Sequence, residues 1–173
     1  MNNILKYITL GAIMIICQIM VSEYVNIWAV LYIAVFPQFI ILLPPTINRS
    51  AYMLIAFALG LAIDLFADGV LGLNAAALTA MAYFRSPILK LVLPKASFES
   101  YENMPIIPRT VEVYKLALLN ILLLGVFFTV YVVLDSAGTF PFTYTLLKIL
   151  LCVAVNSIIT FVCNIVLLDK FLR

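Results

Sequence analysis

GLAIDLFADGVLGLN, residues Gly60 to Asn74, sets two aspartates, an asparagine and three glycines in a chain that otherwise avoids polarity. The 173 residues are 66% hydrophobic and 10% charged, and the mean hydropathy is +1.20. Soluble domains are about half apolar and about a quarter charged. The composition is that of an integral membrane protein. Charged residues are costly in lipid, so the placement of Asp64 and Asp68 one helical turn apart, between two apolar runs, requires a physical reason.

Working outward from this stretch, apolar runs cover about Ile4–Ser22, Ile27–Leu43, Ala51–Phe66, Asn74–Leu93, Tyr114–Leu134 and Thr143–Leu168. A helix crossing a hydrocarbon core of about 30 Å needs roughly 20 residues. Lipid offers the backbone no hydrogen-bond partner, so helices are the expected spans. The expected fold is all-α and integral to the membrane: a single domain over residues 1–173, with six transmembrane helices and short extramembrane loops. Pro44-Pro45 ends the second run, Pro37 is expected to kink it, and Ser136-Ala137-Gly138 with Pro141 separates the last two. The fourth helix either continues past Arg85 to Leu93, with Arg85 reaching toward the interface, or breaks at Ser86-Pro87. That pair reads as an N-cap followed by a first-turn proline, so a break is expected, with a short surface helix over Ile88–Leu93. The first run continues through Val21 to Glu23 without a small-x-small cleavage site, which places it in the mature protein.

Basic residues mark the cytoplasmic side. Lys6, Arg49, Arg85, Lys90, Lys95, Arg109, Lys115, Lys170 and Arg173 fall on one side of a six-span arrangement, and Glu23, Asp64, Asp68 and Asp135 on the other. Lys148 is the exception, one turn into the sixth run, where it can snorkel to the interface. Both termini are therefore expected in the cytoplasm, as is a polar connection over Pro94–Val113.

A net charge of +2 without a basic patch argues against a nucleic-acid partner. There is no histidine, which removes the commonest general base and metal ligand. Cys17, Cys152 and Cys163 lie in apolar runs without metal-ligand spacing and read as small buried hydrophobes. No catalytic, cofactor-binding or metal-binding residue is expected. Trp28, Tyr24, Tyr7 and Tyr131 read as depth anchors near run ends.

Within the opening stretch, Ala56, Gly60 and Asp64 recur every four residues and share a helix face. Ala56-x-x-x-Gly60 is a small-x-x-x-small pattern suited to close helix approach, with Leu59 assigned to a lipid face. Gly69 and Gly72 suit a helix end and tight turn, and Asn74 suits the cap of the next helix. The local reading is a packed helical hairpin with an acidic tip, in which Asp64 anchors the turn and Asp68 is solvated. A catalytic carboxylate pair and a transport or ligand site are the competing readings. On the sixth run, Lys148, Cys152, Asn156, Thr160 and Asn164 form one intramembrane polar stripe. Interhelical hydrogen bonds to partners such as Gln18, Gln38 and Asn120 are expected from it.

Gly60-Leu61-x-x-Asp64-x-Phe66-x-x-Gly69-x-x-Gly72-Leu73, followed by an Ala/Leu-rich helix with Tyr83 near its end, resembles the signature of the MreD family. These are rod shape-determining membrane proteins of the bacterial elongation machinery. The resemblance implies a six-helix fold similar to the substrate-binding subunits of energy-coupling-factor vitamin transporters. It also implies a non-enzymatic scaffold in the bacterial inner membrane that binds MreC and links MreB filaments to the RodA glycosyltransferase and a penicillin-binding transpeptidase. The alternative is a vitamin-binding transporter subunit of the same general fold.

Overall fold

In the computed structural model, residues 3–24, 31–44, 47–93, 111–136 and 140–164 are described, and they are almost entirely helical. Helix α1 spans Asn3–Tyr24, α2 Pro37–Leu42 and α3 Arg49–Ile63. A π-helical turn, Asp64–Asp68, prolongs α3. Helices α4 (Leu73–Val92), α5 (Val113–Ser136) and α6 (Phe142–Cys163) follow.

Among the described residues, four helices are long and apolar enough to cross a membrane: Lys6–Glu23, Arg49–Asp68, Val113–Ser136 and Phe142–Cys163. Their outer faces carry Ile8 and Ile16 on α1, Leu54 on α3, Ile121 and Val133 on α5, and Phe142, Leu150 and Ile158 on α6, all exposed. Helices that are apolar on the outside as well as the inside are those of a membrane protein, since lipid imposes no penalty on such a surface. Helix α4 packs against both α3 and α5, and α6 packs on α5. Between them lies a core that includes Ile40, Ile41, Leu78, Met81, Leu123, Phe127 and Phe128, each fully buried.

The second apolar run departs from expectation. Among its described residues, 31–36 are not helical and Pro37–Leu42 forms a helix, with Pro37 at its first turn rather than at a kink. Arg85, expected at the basic surface, is instead 2% exposed. Its Nη2 donates to the carbonyls of Ile41 (3.2 Å) and Leu43, and its guanidinium lies 4.5 Å over the Tyr52 ring. The Tyr52 hydroxyl donates to Pro44 O. The last carbonyls of a helix have no partner within it and carry partial negative charge, which is what draws a buried cation to the end of α2.

Helix α4 runs unbroken through Ser86-Pro87 to Val92, and Leu89 is buried, so no separate surface helix forms. Proline has no N–H to bond the carbonyl four residues earlier, that of Tyr83. Arg49 Nη2 donates to this carbonyl at 3.1 Å, and its guanidinium stacks 3.7 Å over the Tyr83 ring. The bond that ought to be lost at Pro87 is thus replaced from α3, which allows the helix to continue. Leu59 is buried rather than lipid-facing, and Cys17 is exposed rather than buried, while Cys152 is buried. Trp28, Lys95, Arg109, Lys170, Arg173, the connection over residues 94–110 and the end of the sixth run lie outside the described residues.

Candidate functional site

The α3–α4 hairpin closes at a backbone contact. A Cβ placed on Gly60 would stand 2.5 Å from Ala75 Cα and 2.7 Å from Ala75 N, so only glycine fits. Ala56, one turn earlier on that face, is fully buried. The turn itself requires left-handed backbone at Gly69 (φ 72°) and Gly72 (φ 95°). Gly69 N bonds Asp64 O at 2.8 Å, which closes the π-helical turn.

Asp64 is fully buried. Its Oδ1 accepts from Asn74 N (2.8 Å) and Asn74 Nδ2 (3.0 Å), and its Oδ2 from Gly72 N (2.8 Å) and Ala75 N (3.2 Å). These backbone donors belong to the start of α4, where N–H groups have no intrahelical partner and the helix dipole favours an anion. A carboxylate on α3 therefore caps α4. Asn74, expected to be that cap, lies inside the helix, and its Nδ2 bridges Asp64 and Asp68. Asp68 is not a free solvated tip: its Oδ2 also accepts from the Tyr32 hydroxyl at 2.7 Å.

Tyr32 belongs to the unwound segment, whose backbone is bonded by two side-chain amides. Gln18 Nε2 donates to Ile33 O (3.0 Å) while its Oε1 accepts from Val35 N (2.9 Å). On the opposite edge, Asn156 Nδ2 donates to Tyr32 O (2.8 Å) and its Oδ1 accepts from Ala34 N (2.8 Å). In extended chain, successive peptide groups point to alternate sides. Each carboxamide presents a donor and an acceptor, as a neighbouring strand would. Backbone at this depth avoids leaving polar groups unpaired only through such partners.

The polar stripe on α6 is buried throughout, from Lys148 through Cys152, Asn156 and Thr160 to Asn164. Thr160 Oγ1 accepts from Asn120 Nδ2 at 2.6 Å and Thr160 O from Gln38 Nε2 at 3.0 Å. Lys148 Nζ meets Oδ2 of Asp135, in the last turn of α5, at 2.7 Å. Asn164 has no hydrogen-bond partner for its amide among the described residues.

At the acidic end, α1, the unwound segment, the π-helical turn and α5 enclose a cavity of about 290 Å³. Gln18, Ser22, Tyr32, Asp68, Tyr131 and Asp135 supply its polar wall, and Val21, Leu31, Val70 and Leu73 part of its apolar one. Ser22 Oγ ties α1 to the turn by donating to Ala67 O at 3.1 Å. Tyr131 is buried against this cavity rather than anchoring a membrane surface, and its ring stacks on that of Tyr32 with centroids 4.5 Å apart. Non-helical backbone and π-helical turns in membrane proteins recur where a cavity or a function demands them, and here both line the same space. Among the described residues, no group of three or more acidic, cysteine or histidine side chains is placed to hold a metal ion. The unwound segment escaped sequence reading, although Gln18 and Asn156, isolated amides in apolar helices, were its signal. Comparison of the chain with protein-family models, with curated proteins and with solved structures finds no match.

Proposed function

We propose that the chain is an MreD-like scaffold of the bacterial inner membrane, working by protein contacts and without catalysis. The supporting observation is what the residues of the resemblance do: Gly60, Asp64, Gly69 and Gly72 all serve to fasten one hairpin. Asp64, the strongest candidate for chemistry in the sequence, has both carboxylate oxygens taken up by donors of the hairpin itself and does not line the cavity. In this reading the four long helices, the unwound segment with α2, and α4 make six crossings, with both termini in the cytoplasm. Arg85 drops out of the charge argument for that orientation, because it serves a helix end.

The partners of the scaffold are an MreC-like membrane protein and, through it, MreB filaments, the RodA glycosyltransferase and a penicillin-binding transpeptidase. Affinity capture of the chain from bacterial membranes, followed by identification of co-purifying proteins, tests this. Recovery of MreC, lost in a Gly60→Val variant that still inserts, is the expected result. The acidic-end cavity favours a second reading, the substrate-binding subunit of an energy-coupling-factor transporter. Recovery of transporter ATPase subunits without MreC would replace the scaffold by that reading.

A further inference from the structure

We propose that the cavity at the acidic end is a binding site for a small organic monocation, a protonated amine with a short apolar body. The site exists before any ligand arrives, because each wall is fixed by bonds of its own. Ser22 ties α1 to Ala67 O, Gln18 holds the unwound segment, and the Tyr32 hydroxyl is bonded to Asp68. Its volume of about 290 Å³ lies at the small end of ligand pockets, roughly 300–1,000 Å³.

The charge of the ligand follows from the two carboxylates. Asp135 is neutralised by Lys148 at 2.7 Å. Asp68 receives only neutral donors among the described residues, the Tyr32 hydroxyl and the Asn74 amide. Among the described residues, the Asp68 carboxylate therefore has no paired cation, and the Tyr32 and Asn74 bonds fix its position. Tyr131, 8% exposed, lines the same space and carries a phenolic hydroxyl. That hydroxyl and the Asp68 carboxylate are acceptors for an ammonium group, and the stacked Tyr32 and Tyr131 rings add aromatic surface that attracts a cation. A calcium or magnesium ion takes six or more oxygen ligands, whereas this wall is partly aliphatic through Val21, Leu31, Val70 and Leu73. The aliphatic part suits an alkyl body.

The inference is independent of the scaffold reading, since it concerns the isolated chain and not its protein partners. The test is calorimetric titration of the full-length chain in lipid nanodiscs with n-butylammonium, and with n-butanol as its uncharged counterpart. Saturable binding of n-butylammonium is expected, weakening as sodium chloride is raised, with n-butanol weaker by about tenfold or more. Asp68→Asn should weaken n-butylammonium binding by about tenfold or more. Val70, at the exposed rim of the cavity, gives a second variant that leaves the Asp68 bonds intact. Val70→Trp fills the space and should abolish binding with the melting temperature unchanged, so the test stands even where Asp68→Asn fails to fold. Absence of saturable n-butylammonium binding, equal binding of both probes, or undiminished binding by Val70→Trp would each overturn the proposal.

Discussion

Gly60 leaves room for no side chain: the atoms a Cβ would meet belong to the backbone of Asn74 and Ala75, which have no flexible end to yield. Gly60→Ala must therefore push α3 and α4 apart, with a cost of about 1–3 kcal/mol or more. Leu54→Ala, on a face that is 69% exposed, should stay within about 0.5 kcal/mol. Thermal unfolding of the purified variants in one detergent checks both, and equal melting temperatures would contradict the backbone contact. At Asp64, asparagine keeps one acceptor oxygen but turns an amide N–H₂ toward donors. Asp64→Asn should lose about 1–3 kcal/mol and Asp64→Leu distinctly more, since leucine leaves the N–H groups of Gly72, Asn74 and Ala75 all unpaired. The same melting assay ranks the two, and an Asp64→Leu variant as stable as Asp64→Asn would refute the capping role. Both residues were readable in sequence, because spacing of four along a helix and glycines beside a carboxylate are local facts. Asn74 was misread because its alternative, a carboxylate reaching across from α3, is not local.

Among the elements, the second apolar run shows where sequence periodicity stops informing. Leu31–Phe36 has the composition of a buried helix, and nothing within it demands extended backbone. What permits that backbone is the pair of carboxamides on α1 and α6. Gln18→Ala and Asn156→Ala each leave one peptide donor and one acceptor unpaired, so each should cost about 2–6 kcal/mol at about 1–3 per group. Leu150→Ala, on the outer face of α6, serves as the control. Fluorescence-detected unfolding of the variants decides it, and a silent Asn156→Ala would remove the clamp from the account. Helix α4 offers a cleaner test. If Arg49 substitutes for the amide missing at Pro87, then Arg49→Ala should destabilise the wild-type chain but not Pro87→Ala, where the N–H that alanine restores bonds Tyr83 O itself. The double-mutant cycle should give a coupling of about 0.5–1.5 kcal/mol, and additivity of the two changes would exclude the substitution. The break expected at Ser86-Pro87 was a sound local inference that this long-range bond overrides, just as Arg85 read as a cation of the basic surface until its carbonyl partners on α2 and beyond were placed.

For the molecule as a whole, composition and apolar run length sufficed to place the four long helices in a membrane, and the clustering of charge at the ends of runs suggested their orientation. The proposed topology predicts that, on a cysteine-free background, Arg109→Cys resists a membrane-impermeant maleimide in intact cells while Val70→Cys reacts. The reverse pattern would invert the orientation. The carboxamide clamp also constrains how the protein is made. Ala34 and Asn156 are separated by 122 positions, an interval that takes on the order of ten seconds to translate at roughly 5–20 residues per second. Until α6 emerges, Tyr32 O and Ala34 N lack the Asn156 amide that pairs them, so lipid is a hostile place for them. This non-helical stretch is therefore expected to settle only when the last helix arrives. A nascent chain stalled before residue 156 should therefore be more open to protease around Tyr32 and Ala34 than the finished protein.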